Sequence, residues 1–209
     1  QAAAVNEPDF FDVLGEVAPE KGTDVAQLFA TFATWRYFTG PRDDGLHFSE
    51  GAAWGSSSRV SASPLRLTPS GSMQVYLAAF GSAFRTVDLP VGLEALEVTV
   101  TGADGIAGVV PLTSTGKAAA EPALVSAGAG LTRVVFPAGA TRALVAVTYA
   151  PGGWDPELGD SSTHPVTADL TAVRVAEPDG GGGPGADGGV GGEPAGPLGC
   201  HCMSSGGSA

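Results

Sequence analysis

Between residues 73 and 175 the chain breaks into seven short apolar runs, at 73–80, 84–89, 93–101, 106–112, 131–136, 142–150 and 165–175, with turn residues between them. In the run at 93–101, Leu96, Val98 and Val100 alternate with polar neighbours. That period of two belongs to a strand with one face buried and one face wet. Thr101-Gly102-Ala103-Asp104-Gly105 ends it, because glycine and aspartate accept the reversed backbone of a tight turn. Strands that follow one another without helices between them bury their apolar faces by stacking two sheets. The expected fold is therefore mainly β: an antiparallel β-sandwich, jelly-roll or Ig-like, over residues 60–177.

Residues 1–59 read as a helical lead-in segment to that sandwich. Over 1–22, Pro8, Gly15, Pro19 and Gly22 interrupt any long periodicity, so an irregular stretch is expected, with Phe10, Phe11, Val13 and Leu14 available for packing. One amphipathic helix follows. Asp24 can accept from the amides of the first turn, with Gln27 three residues later as in a capping box. Val25, Leu28, Phe29, Phe32, Trp35 and Phe38 fall on one helical stripe, and Gly40-Pro41 stops the helix. Residues 178–199 have the opposite character. A string such as Gly180-Gly181-Gly182-Gly183-Pro184-Gly185 offers almost nothing to bury, so ordering it goes uncompensated and a disordered linker is expected. Residues 200–209 form a cysteine-containing tail.

Charge narrows the partners. The chain of 209 residues carries a formal net charge of -12, and Lys21 and Lys117 are its only lysines. Such a surface repels phosphate, which argues against nucleic acid and against an anionic bilayer. Acidity suits an exported protein that stays soluble. Both cysteines, Cys200 and Cys202, lie in the tail, so no disulfide framework supports the fold. The opening Gln1-Ala2-Ala3-Ala4 has neither the basic start nor the apolar run of a signal peptide. No stretch reaches the ~20 apolar residues of a membrane helix, leaving a tail anchor as the expected membrane attachment.

Each string that suggests chemistry meets a structural alternative. Gly180-x-Gly182-x-x-Gly185 matches a dinucleotide fingerprint in letters alone, since no helix follows to receive a pyrophosphate. His47-Phe48-Ser49-Glu50 lacks the second histidine one turn away that a zinc protease needs, so structural roles are expected for His47 and Glu50. Asp160-Ser161-Ser162-Thr163-His164 holds the side-chain types of a hydrolytic triad. It has no nucleophile elbow and reads as a polar loop. Asp155, Glu157 and Asp160 follow Gly152-Gly153-Trp154 and are candidate calcium ligands, set against a solvated turn with Trp154 packed on the sandwich. No other cofactor is expected. Leu198-Gly199-Cys200-His201-Cys202 leaves three readings open. They are covalent processing or lipidation of Cys200 or Cys202 on a flexible arm, free thiols, and a three-ligand metal cluster short of the usual four.

The glycine-rich stretch, Gly199-Cys200-x-Cys202 and Ser204-Ser205-Gly206-Gly207 together resemble the start of the MYXO-CTERM sorting region of myxobacterial exported proteins. That resemblance implies Cys200, or Cys202, as the modified or cleavage-proximal residue. The stretch Phe32-Ala33-Thr34-Trp35-Arg36-Tyr37-Phe38-Thr39-Gly40-Pro41-Arg42-Asp43-Asp44-Gly45, with His47-Phe48-x-Glu50-Gly51-Ala52, is similar to a segment in secreted metalloproteases of the same bacteria. There it follows the peptidase domain and precedes a β-sandwich, and the pattern through Val145-Ala146-Val147-Thr148 and Gly152-Gly153-Trp154-Asp155-Pro156 fits the downstream part. The zinc-binding helix has no counterpart here, so the resemblance transfers no catalytic residue. The expectation is an exported, non-catalytic module at the outer surface of a bacterium, accessory to a secreted metalloprotease. Its partners would be an upstream peptidase domain or another surface protein. The rival is a structural subunit that self-associates into a surface layer or fibre through sheet edges.

Overall fold

The computed structural model describes residues 10–55, 64–152 and 162–174. Two helices, α1 (Phe10–Glu20) and α2 (Val25–Arg36), precede the strands. Short 3-10 turns at Gly40–Arg42 and Gly51–Ala53 lie between α2 and the strands. The described strands are β1 (Leu65–Arg66), β2 (Ser70–Leu77), β3 (Ser82–Asp88), β4 (Leu93–Thr101), β5 (Gly105–Leu112), β6 (Ala123–Ser126), β7 (Thr132–Val135), β8 (Arg142–Tyr149) and β9 (His164–Arg174).

They form two sheets, one in the order β1-β3-β8-β5-β6 and the other in the order β2-β9-β4-β7. From β2 to β9 every connection except β5 to β6 crosses from one sheet to the other. This is the jelly-roll arrangement of eight strands in two sheets, which decides between the two sandwich types left open above. β1 is an addition, pairing parallel with the end of β3 through Leu65 opposite Val87; all other pairs are antiparallel. The Gly102–Gly105 turn stands where the sequence places it, between β4 and β5, but it carries the chain between sheets and closes no hairpin.

Two apolar clusters hold this together. The larger lies between the sheets and includes Leu96, Val98, Val109, Val125, Val145, Val147, Val166 and Leu170. The smaller lies on the outer face of the five-stranded sheet, where Phe84, Val110, Leu112, Leu144 and Ala146 meet Tyr37 and Phe38. Hence every residue of β5 is buried, and so is all of β8 after Arg142. Such strands lose the alternation that marks a half-buried strand and read as continuous apolar runs. The outer face of the four-stranded sheet keeps the alternation. Ser72, Asp169 and Thr99 make one cross-strand row on it, and Gln74, Thr167 and Thr101 make the next.

The helical part departs from the sequence-based expectation in two ways. A second helix, α1, occupies much of the stretch expected to be irregular. Pro19 falls next to its last residue, so its missing amide and its ring disturb only the last turn, and Gly15 lowers the propensity without ending the helix. Gly22, at φ 71°, then closes the end, with its amide bonded to the Pro19 carbonyl at 3.0 Å. In α2 the cap is as expected, Gln27 N–H donating to Asp24 Oδ1 at 2.7 Å. The buried face is not. Ala30, Ala33 and Thr34 are buried, while Leu28 and Phe32 of the expected stripe are 37% and 45% exposed. The reason is closeness. At Gly108 of β5 an added Cβ would collide with Thr34 Cγ2, so the helix lies against the sheet through its small side chains and leaves Leu28 and Phe32 outward, while Val25, Phe29 and Trp35 are half-buried. The sequence-based reading also omits β1 and β6, which are short and mostly half-buried.

Candidate functional site

Residues 37–54 fold back over the end of α2. Tyr37 N–H and Phe38 N–H bond to Thr34 and Trp35 carbonyls and finish the helix. Gly40, at φ 61°, then turns the chain into the first 3-10 turn with Pro41 near its start. Arg42 closes the turn, its Nε donating to the Tyr37 carbonyl at 2.8 Å and its guanidinium lying 4.8 Å from the Tyr37 ring centroid.

Asp44 is the polar centre of this segment. Its side chain is fully buried. Oδ1 accepts from Leu46 N–H at 3.0 Å and from His47 Nδ1 at 2.9 Å, and Oδ2 accepts from Ala118 N–H at 3.3 Å. Ala118 belongs to the connection between β5 and β6, so one carboxylate joins the lead-in to the sandwich. Burial pushes the Asp44 carboxyl up, but the hydrogen bonds from His47, Leu46 and Ala118 and the His47 charge outweigh it. The group stays below its ordinary value.

His47 extends the polar centre into an aromatic cluster. Its ring stacks on Phe38 at 4.3 Å and 7° and lies 5.9 Å from Trp35. Phe48 meets Trp35 edge-on at 6.0 Å, Phe32 edge-on at 6.1 Å and Trp54 at 4.8 Å. Such contacts add to area burial in proportion to their geometry. The cluster runs from buried Phe38 out to Phe32 and Trp54, which are 45% and 42% exposed. Trp35 Nε1 is buried within it without a hydrogen-bond partner.

Among the described residues the candidates of the sequence do not converge. His47 is engaged by Asp44, whereas Glu50 is exposed and precedes the second 3-10 turn without capping it. Among the described residues no three His, Cys, Asp or Glu side chains gather as metal ligands. Ser162 Oγ lies 2.8 Å from His164 Nε2, and the His164 ring stacks on Tyr149 at 4.5 Å. A hydroxyl and an imidazole two residues apart do not by themselves make a triad, which also needs an orienting acid and oxyanion donors brought in from elsewhere in the fold. Asp155, Glu157 and Asp160, with Trp154, lie outside the described residues, as do Cys200, His201 and Cys202. Asp44 escaped the sequence-based reading. The available signal was the Asp-Asp-Gly turn with a histidine three residues after Asp44, and it gives no hint of Ala118.

A shallow, open cleft of about 510 Å³ lies between the β4–β5 turn and the β6–β7 connection, lined by Thr99 to Asp104 with Ala127, Gly128 and Gly130. No described helix is long and apolar enough to cross a membrane.

The sequence matches no family model, and no curated protein matches it. Among solved structures it is similar to a periplasmic lysozyme inhibitor of g-type lysozyme from Aeromonas hydrophila, at 12% identity over 56% of this chain and 100% of that one, with a TM-score of 0.38. Likeness at that level establishes no strand-for-strand correspondence and no shared site.

Proposed function

We propose that this chain is an exported, surface-associated module without catalytic chemistry of its own, accessory to a secreted metalloprotease. It would position substrate, stabilise the peptidase, or hold a protein or glycan partner.

The observation that carries this reading is the fate of His47. It is the residue of the 32–52 segment best suited to bind zinc; its Nδ1 is held by the buried Asp44 carboxylate, its ring stacks on Phe38, and among the described residues it belongs to no group of three metal-ligand side chains. The segment that resembles the post-peptidase stretch thus serves as a joint on the sandwich. Beside that joint Leu28, Phe32 and Trp54 leave apolar surface open, of the kind that marks contact with another protein. The cysteines of the tail, Cys200 and Cys202, would supply the attachment to the surface.

Mass spectrometry of the protein isolated from producing cells tests this. A peptidase with a zinc-binding helix is expected, either covalently upstream of Gln1 or co-purifying in stoichiometric amount. A native protein with neither overturns the accessory role.

A further inference from the structure

We propose that β2 is a pairing edge through which two copies of this chain join antiparallel, extending the four-stranded sheet across a two-fold axis.

Among the described strands the sandwich ends in four sheet edges, β1, β6, β2 and β7. An edge strand presents unpaired amides and carbonyls, and proteins blunt it with shortness, proline or charge. Three of these edges are blunted. β7 has four residues, and Arg133 within it pairs with Glu94 at 2.9 Å. β6 also has four residues. β1 covers only the end of β3. Upstream of that end stands Arg85, opposite Val145 and on the same face as Ala83 and Val87, which line the sandwich interior. It is an inward charge with a buried Nε that has no partner, another device that discourages edge pairing.

β2 is neither short nor charged, and its proline, Pro69, lies just before the strand and not within it. All eight of its residues register on β9, from Ser70 opposite Thr171 to Leu77 opposite His164. Among the described residues no strand pairs with its other edge. Ser70–Leu77 contains no charge and no proline.

The strand itself favours a second copy as occupant. Its first half is small, Ser70, Gly71 and Ser72, and its second half large, Val75, Tyr76 and Leu77. Antiparallel self-pairing sets small against large. With the two faces kept in phase, Met73 meets the other Met73, Ser72 meets Gln74, and Ser70 lies under Tyr76. The Tyr76 ring, 65% exposed in the single chain, gains cover. Two chains of net charge -12 repel wherever their acids come close, and this strand opposes no like charges along the seam. Pairing β2 with β2 is also closed. With the remaining edges blunted, assembly stops at two copies and forms neither layer nor fibre. The inference is independent of any peptidase.

Sedimentation velocity across a concentration series, on the full chain, reads this directly. A reversible monomer–dimer equilibrium is expected for the native sequence. The double variant Ser72→Glu with Gln74→Glu changes two exposed side chains and opposes acids across the seam, and it should weaken the dimer by about tenfold or more. Arg133→Glu on the β7 edge should leave it unchanged. Circular dichroism checks that each variant keeps its strands. A folded native chain that stays monomeric at its highest soluble concentration overturns the proposal. So does a dimer that survives the double variant, or one that Arg133→Glu dissociates.

Discussion

Replacing Asp44 with alanine isolates the contribution of one buried carboxylate to the joint between the helical segment and the sandwich. The fully buried side chain accepts from Leu46 N–H, His47 Nδ1 and Ala118 N–H at 3.0, 2.9 and 3.3 Å. Alanine leaves all three donors facing a space with no acceptor, and each such loss costs about 1–3 kcal/mol. Removing one member of a buried pair costs ~3–5 kcal/mol. Water entering the space recovers part of the summed donor cost, so about 3–5 kcal/mol is the expected loss. A folded body of this size shifts by about 2–4 °C per kcal/mol, which places the drop in melting temperature at roughly 6–20 °C. Urea titration followed by tryptophan fluorescence is the natural assay, because Trp35 lies 5.9 Å from His47. The pH dependence has a definite sign. The folded carboxyl lies below its ordinary 3.8, so its stabilisation is full above that pH and is lost as pH falls through the folded value. The gap between native and variant stability should therefore narrow in acid below about pH 3.8. A loss under about 1 kcal/mol at pH 7 would refute the carboxylate as the joint. A gap that does not narrow in acid would refute its ionised form.

Two further substitutions address how α2 meets the sheet. Gly108→Ala should cost about 1–3 kcal/mol by thermal melt through collision with Thr34 Cγ2. Thr34→Ser, which deletes that methyl, should recover most of the loss, and independent, additive effects would show that the two do not touch. Leu28→Glu, on the exposed face, should change stability by no more than about 0.5 kcal/mol, whereas Ala33→Leu, on the 3% exposed face, should cost about 1–3 kcal/mol by overpacking. The reverse order of these two costs would put the large apolar stripe inward.

Local chemistry made much of this protein legible from its residues. Strand periodicity and turn residues are properties of neighbours in the chain, so β4 coincides with the expected run at 93–101, and β3, β5, β7, β8 and β9 lie within a few residues of theirs. The Asp24 cap is likewise local, needing only an acceptor three residues before an amide. Where local signals conflict, the reading fails. Gly15 and Pro19 lower the propensity for a helix without forbidding one, and α1 runs through both, with Pro19 confined to its last turn.

Tertiary structure decided what depends on residues far apart in sequence. Alternating strands fit a jelly roll and an Ig-like sandwich equally well, and only the order in which strands reach each sheet separates them. The apolar stripe of α2 pointed to a large buried face. The close approach of Thr34 to Gly108, seventy-odd residues away, selected the small face instead, because a helix nearer its sheet excludes water more fully than long side chains held at a distance. Asp44 became the joint for the same reason. Its third hydrogen bond comes from Ala118, 74 residues on, and no spacing within a turn or a helix announces a partner that folding alone brings near.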